Sequence, residues 1–333
     1  MPESPARLTA QPGNATGQLP RERQQVRFAS GGTECAAWHY PGANGACVIM
    51  TGGFGVTKEP GTDLFARRFH AAGFSVLAFD YRHLGESGGQ PRQVAGIRDQ
   101  LADWQAALGC AADLPGVDPG RLGIWAFSGS GGHVFRVAAA TPGLGAAIAQ
   151  TPTAGGLAPL RNLARHQRPL AMARVTGRGV LDGLGRLAGR QPRLLPLDGE
   201  PGDVVMLTTP DSRDSGRALN PGNAYPDWQQ EIAAWSALRL GFYQPGRYAS
   251  RVACPLLVVV CEDDQSVLAG PAIRAAGRAP RGELARLPGT HYAPFLDAHR
   301  PAVAAELSFL RRHLLGRRAP AAAEPVSYRG GRA

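Results

Sequence analysis

The chain lacks any apolar run approaching the roughly 20 residues of a membrane-spanning helix. Its first 23 residues are polar, with Pro and Gly but no apolar core stretch, so no secretory signal is visible. It carries no P-loop, no dinucleotide-binding glycine fingerprint and no clustered metal ligands, so the sequence implies neither cofactor nor metal. It has no internal repeat, which excludes solenoids and propellers. Cysteine is scarce: Cys35, Cys47, Cys110, Cys254 and Cys261 are odd in number and dispersed. Cys47, Cys254 and Cys261 fall in or beside apolar strand runs, the pattern of small buried hydrophobes in a reducing compartment. The net charge is +10, from 36 Lys+Arg against 26 Asp+Glu, but no helix-turn-helix, zinc-finger or RNA-recognition signature accompanies it. These absences point to a soluble cytoplasmic protein that engages neither nucleic acid nor membrane.

What is present describes an ordinary globular protein. A chain of 333 residues, 44% hydrophobic and 19% charged, can bury one large core or a core with an insert. Residues 1–23 and 316–333 read as disordered tails. From residue 24 to 150, short apolar strand-like runs alternate with amphipathic helical segments. Alternation stops over residues 151–250, which are rich in proline and helical pieces and poor in strand signal. It resumes over residues 251–315 with the run Pro255 to Val260, a helix from Ala269, a strand ending at Leu287 and a final amphipathic helix. Strands alternating with helices predict an α/β fold with a mostly parallel sheet covered on both faces. The interruption predicts an inserted, mainly helical cap over the strand ends, where such sheets bind ligands.

The chain is organised around residues 121–133, Arg-Leu-Gly-Ile-Trp-Ala-Phe-Ser-Gly-Ser-Gly-Gly-His. An apolar run, Leu122 to Phe127, passes through small residues into a helix expected to begin near Gly131. A serine at such a strand-to-helix corner is a nucleophile elbow, tight enough to require small residues two positions either side. Ala126 and Ser130 occupy those positions around Ser128. A second frame would make Ser130 the nucleophile; the strand favours Ser128, which leaves it directly into the turn.

A serine hydroxyl needs a base, and the base an orienting carboxylate, in the chain order Ser, acid, His on such a sheet. The strand after the interruption ends in Cys261-Glu262-Asp263-Asp264, which offers three acids. Asp264 is the first choice, Asp263 the second and Glu262 the third. His291 follows the last strand in a glycine-containing loop. His39, His70, His166, His299 and His313 lie where exposure or packing suffices; His83 and His133 lie near strand ends, and a packed role suits His133 better. The oxyanion needs two preorganised backbone donors. Gly129 N–H, just after the nucleophile, is one. The other is Phe54 N–H in the glycine-rich loop after Met50.

Five stretches complete the pattern: residues 53–59 (Gly-Phe-Gly-Val-Thr-Lys-Glu), 79–87 (Phe-Asp-Tyr-Arg-His-Leu-Gly-Glu-Ser), 118–125 (Asp-Pro-Gly-Arg-Leu-Gly-Ile-Trp), 254–258 (Cys-Pro-Leu-Leu-Val) and 289–291 (Gly-Thr-His). With the elbow, they make residues 26–315 resemble the α/β-hydrolase superfamily. Within it the resemblance is to bacterial hydrolases related to the Xaa-Pro-peptidase/acyl-esterase and dienelactone-hydrolase-like groups. It implies an α/β-hydrolase fold, a triad of Ser128, Asp264 and His291, and an oxyanion hole of Phe54 and Gly129. Two positions depart from the family pattern. Gly52 replaces a usual histidine, which predicts a looser or reshaped oxyanion loop, and Ala126 replaces the first elbow glycine.

The expected activity is that of a serine hydrolase cleaving an ester, lactone or thioester of a small-molecule acyl substrate. A carrier-bound acyl group would use the arginines of the cap, Arg161, Arg165, Arg168, Arg174, Arg178, Arg186 and Arg190, which otherwise form a solvated face. Acyl transfer, elimination or cyclisation on the same scaffold is the alternative, and a ligand-binding module without catalysis is a third. Trp228, Trp235, Phe242 and Tyr243 are expected to pack rather than to line a ligand site. The sequence leaves the oligomeric state open, a dimer included.

Overall fold

The computed structural model describes residues 8–9, 23–155 and 158–316, without the side chains of residues 8–9 and 158–161. The predicted tails therefore fall almost wholly outside the described residues. Within them Leu8–Thr9 (β1) pairs with Val26 and Gln25, and Arg23 is ion-paired to Glu59 at 2.8 Å.

Gln24–Ser30 (β2) and Thr33–Tyr40 (β3) form an antiparallel hairpin that turns at Gly31-Gly32. Cys47–Thr51 (β4), the helix Thr62–Ala71 (α1) and Ser75–Phe79 (β5) follow. Ile97–Ala112 (α2) leads to Leu122–Phe127 (β6), Ser128–Ala140 (α3) and Ala146–Gln150 (β7).

The interrupting segment contains Ala158–His166 (α4), Pro169–Leu187 (α5), Leu194–Pro196 (β8), Ser215–Leu219 (α6), Glu231–Ala233 (β9) and Ala234–Gly241 (α7). Beyond it lie Leu256–Cys261 (β10), Ala269–Arg278 (α8), Gly282–Leu287 (β11) and His299–Leu314 (α9).

The main sheet has the order β1-β2-β3-β5-β4-β6-β7-β10-β11. From β5 to β11 every neighbouring pair is parallel. Strands β4, β6, β7 and β10 are buried at every residue, because α1 and α9 pack together on the sheet, as do α2 and α3. A strand covered on both faces has no use for alternation, which is why these segments read as continuous apolar runs.

Strand order also places the site. The chain crosses from β5 over β4 to β6, so β4 and β6 flank the point where connections diverge, and Thr51 pairs with Ala126 at their C-terminal ends. The loop after β4 and the turn after β6 therefore open side by side.

The segment between β7 and β10 is not all helix and loop. β8 and β9 form a two-stranded antiparallel sheet. Three-residue strands paired across more than thirty intervening residues leave no periodic signature to read. Asp182 of α5 ties this unit together, accepting from Arg193 N–H at 2.7 Å and Trp235 N–H at 2.9 Å.

One buried acid bears on stability. Glu306 of α9 is fully buried and accepts a hydrogen bond from Trp125 Nε1 at 3.2 Å, with no ion-pair partner among the described residues. Burial pushes its carboxyl up to about 8, so the folded protein holds it neutral at pH 7. The unfolded chain ionises near 4.5, so stability drains away as pH rises from there to about 8 and levels off above. Glu306→Gln keeps the acceptor without the proton linkage. It is expected to stabilise by about 1–3 kcal/mol at pH 8 and negligibly at pH 4, read by thermal melts at both pH values.

Candidate active site

At the end of β6 the backbone turns sharply. Ser128 has φ +55°, the strained left-handed conformation of an elbow, and α3 starts at that residue rather than near Gly131 as the sequence suggested. Its hydroxyl hydrogen-bonds His291 Nε2 at 3.0 Å, while His291 Nδ1–H donates to Asp264 Oδ2 at 2.7 Å. Ser128, His291 and Asp264 are thus brought together in one line. Ser130 is fully buried within α3 and makes no contact of this kind.

The acid and base loops are placed by register. Cys261 pairs with Leu287 at the ends of β10 and β11, and Asp263 N–H donates to Gly289 O at 3.1 Å. Asp264 then points inward, buried, and its Oδ1 accepts from Val267 N–H at 2.6 Å. Glu262 and Asp263 are exposed and face solvent.

The other histidines lie elsewhere. His39 is buried with no hydrogen-bond partner among the described residues, and burial lowers it to about 4. His133 is buried between Gln100 and Tyr243, at 2.9 and 3.0 Å, and burial lowers it to about 3. His83 adopts φ +70° in the turn after β5. His70 bonds Pro41 O, His299 bonds Pro294 O and His313 bonds Glu283.

Phe54 and Gly129 meet at the elbow. A Cβ added to Gly129 would lie 2.6 Å from Phe54 Cβ, so the two backbones are in direct apposition. Gly129 lies in the first turn of α3, where N–H groups have no intrahelical acceptor and the helix dipole favours negative charge.

The Gly52 departure has a steric reason. A Cβ there would lie 2.6 Å from both Val56 O and Thr57 O, so the loop has folded back into the space a side chain would need. The loop is held from behind. Lys58, the single lysine of the chain, is buried; its backbone N–H donates to Asp80 Oδ1 at 2.6 Å, and its ammonium bonds Asp80 at 2.8 Å and Glu86 at 2.6 Å. Two of the stretches singled out in the sequence, residues 53–59 and 79–87, are therefore one structural unit. Removing one partner of a buried ion pair strands the other, so Lys58→Met is expected to destabilise by roughly 3–5 kcal/mol, measured by urea unfolding.

His291 is pulled two ways. Burial disfavours its imidazolium, but the Asp264 carboxylate against Nδ1 outweighs it and holds the ring above its usual 6.5. If the ring acts as a base it works neutral, so activity should be lost as pH falls through a raised value. The acidic limb of kcat/KM is expected to lie above pH 6.5, measured with a neutral ester.

A second carboxylate escaped the sequence reading. Asp211, in the short turn Pro210–Asp214, is buried beside the acid loop and hydrogen-bonds both Ser266 and the backbone of Gln265. Nothing local in Thr-Pro-Asp distinguishes it from a helix start. A cavity of about 140 Å³ opens from Ser128. Its walls are mainly apolar, with Phe54, Phe127, Leu197, Met206, Leu240 and Trp228 among them, and Thr209, Asp198 and Ser215 contribute polar groups. Trp228 was expected only to pack; it lines this cavity and also donates to Gly55 O at 2.9 Å. Phe242 is instead exposed, and Tyr243 bonds His133. Of the cap arginines, Arg165, Arg168, Arg174, Arg178, Arg186 and Arg190 are exposed, and the side chain of Arg161 lies outside the described residues.

No family model matches the chain. It is 32% identical over 305 residues to the quorum-quenching protein AidA of Acinetobacter baumannii (strain MDR-ZJ06), a match covering 90% of this chain and 98% of that one. The crystal structure of the α/β hydrolase GrgF from Penicillium sp. sh18 superposes with a TM-score of 0.73 at 22% identity, over 89% of this chain and all of that one. The chain belongs to the α/β-hydrolase superfamily. Polyketide transferase ATR5 of Stachybotrys chlorohalonatus is a further relative, 29% identical over 73% of this chain and 80% of that protein. Among the described residues of this α/β hydrolase no helix is long and apolar enough to cross a membrane.

Proposed function

We propose that this α/β hydrolase is a serine hydrolase acting on an ester-type bond of an apolar acyl substrate. One observation carries the reading: His291 bridges Ser128 and Asp264, at 3.0 and 2.7 Å, at the mouth of an apolar cavity. Ser128 Oγ attacks the carbonyl carbon and its proton passes to His291 Nε2. The carbonyl oxygen, now an oxyanion, takes the N–H groups of Phe54 and Gly129. As the bond to the leaving group breaks, His291 returns the proton to the departing oxygen or sulfur. Water then attacks the acyl-enzyme, giving its proton to His291, and Ser128 recovers its proton as the acid leaves. Asp264 holds the imidazole orientation throughout.

The experiment is turnover of p-nitrophenyl esters from acetate to dodecanoate, with the matching acyl thioesters. Measurable kcat/KM with a preference for chains longer than acetate supports the reading; a folded protein inert to all of them defeats it. Trp228 forms part of the wall, so Trp228→Ala is expected to move the chain-length optimum upward and to raise KM for the wild-type optimum roughly 10-fold, about the loss of a large apolar contact.

Acyl transfer is the second reading. It is favoured by the apolar walls, which disfavour water at the acyl-enzyme, and by the relative named a polyketide transferase. The exposed cap arginines would then meet the phosphate of a carrier-bound acyl donor. All five cysteines are free, which supports a cytoplasmic setting.

A further inference from the structure

The interrupting segment contributes more than cavity wall. Asp211 reaches across to the loop that carries Asp264. Its Oδ2 accepts from Gln265 N–H at 2.8 Å and Ser266 N–H at 3.1 Å, and its Oδ1 accepts from the Ser266 hydroxyl at 2.7 Å. Its Oδ2 also lies 3.4 Å from the backbone N–H of His291 itself. Thr209 closes the arrangement, its hydroxyl 2.7 Å from that of Ser266. Every donor is neutral, and among the described residues neither Asp211 nor Asp264 is ion-paired to a Lys or Arg.

We propose that Asp211 is a positioning residue for the His291–Asp264 pair, fixing the acid loop to the cap and adding a second negative charge against the imidazolium formed during the reaction. The inference rests on His291 being the base. Asp264 alone cannot hold its loop: its Oδ1 secures only Val267 N–H, and the two amides before that turn to Asp211. The charge of Asp211 persists because hydrogen bonds from Ser266 and Gln265 overcome the cost of burial and keep it below the usual carboxylate range.

The groups that face His291 from the surrounding elements are few. Asp264 comes from the loop after β10, Asp211 from the cap, Ser128 from the elbow and Tyr292 from its own loop, ring to ring at 4.9 Å. Asp198 and Asp214 act on Tyr292, and Cys261 sits behind the two aspartates, its thiol pushed up by burial to about 12. The carboxylates that act on His291 itself are those of Asp264 and Asp211, whereas Asp198 and Asp214 act on Tyr292 and not on the imidazole, so removing Asp211 must ease deprotonation of His291.

The test is the pH dependence of inactivation by a fluorophosphonate and of kcat/KM for p-nitrophenyl butyrate, in wild type, Asp211→Asn and Asp214→Asn. Asp214 lies in the same turn but pairs with Arg217 at 3.2 Å, so its variant should leave both profiles unchanged. For Asp211→Asn the acidic limb should move down by about half a pH unit or more, with kcat about 10-fold lower. KM should stay within about twofold, since Asp211 is absent from the cavity wall. A lower kcat with an unmoved limb overturns the proposal and leaves Asp211 a structural residue. If Asp211→Asn does not fold, Asp211→Ser, smaller and neutral, should show the same downward shift, and an unmoved limb there overturns the proposal equally. A wild type that is not inactivated at any pH would sink the hydrolase reading itself, a result distinct from either.

Discussion

Replacing Ser128 by alanine should lower kcat for p-nitrophenyl esters roughly 10⁴- to 10⁶-fold while the protein melts at or above the wild-type temperature. The rate loss follows from removing the hydroxyl bonded to His291, at 3.0 Å. The melting temperature is not lowered because alanine keeps the Cβ, and with it the same backbone conformation at φ +55°, while function rather than folding demands the hydroxyl there. Ser130→Ala is the informative contrast. Ser130 is buried in α3 away from His291, so that variant should retain most activity and bear its cost in packing. Loss of turnover with Ser130→Ala and not with Ser128→Ala would reverse the assignment of the elbow.

The second large effect separates the neighbouring acids. Asp264→Asn should cost roughly 10³- to 10⁴-fold in kcat, because an amide facing Nδ1 at 2.7 Å favours the wrong imidazole tautomer and gives no charge to the imidazolium. Asp263→Asn should stay within about threefold, since that carboxylate is exposed and only its backbone N–H is engaged, with Gly289 O. Steady-state kinetics on the two variants side by side measures this. Equal losses would mean that the acid loop rearranges when substrate binds.

Much of this was readable from residues. The parallel strands announced themselves because both faces are covered, so Cys47 to Met50, Leu122 to Phe127 and Leu256 to Cys261 are apolar runs without alternation. The order of Ser128, Asp264 and His291 along the chain, and their positions past strand ends, followed from the same pattern. What could not be read depends on contacts between distant segments. The sequence ranks Asp264 ahead of Asp263 and Glu262, but the turn that buries the first and exposes the other two has no local signature. The start of α3 was misplaced because glycines at 131 and 132 look like loop, whereas packing fills their open sides: added Cβ atoms would meet Pro152 at 3.1 Å and Thr153 O at 2.5 Å. Pairing of β8 with β9 left no periodicity, and Asp211 gains its meaning only from a loop some fifty residues further on. The cap was the least legible part for that reason. Its residues act through partners in the core, not through a local pattern.

The central claim is that Ser128 is an activated nucleophile, and covalent capture tests it most directly. The protein would be treated at pH 8 with a fluorophosphonate, weighed intact by mass spectrometry and mapped by peptide digestion, with heat-denatured protein as the control. The account predicts a single adduct per chain, on Ser128, absent from the denatured protein and from His291→Ala. An adduct on Ser130, or none on folded protein, would contradict it.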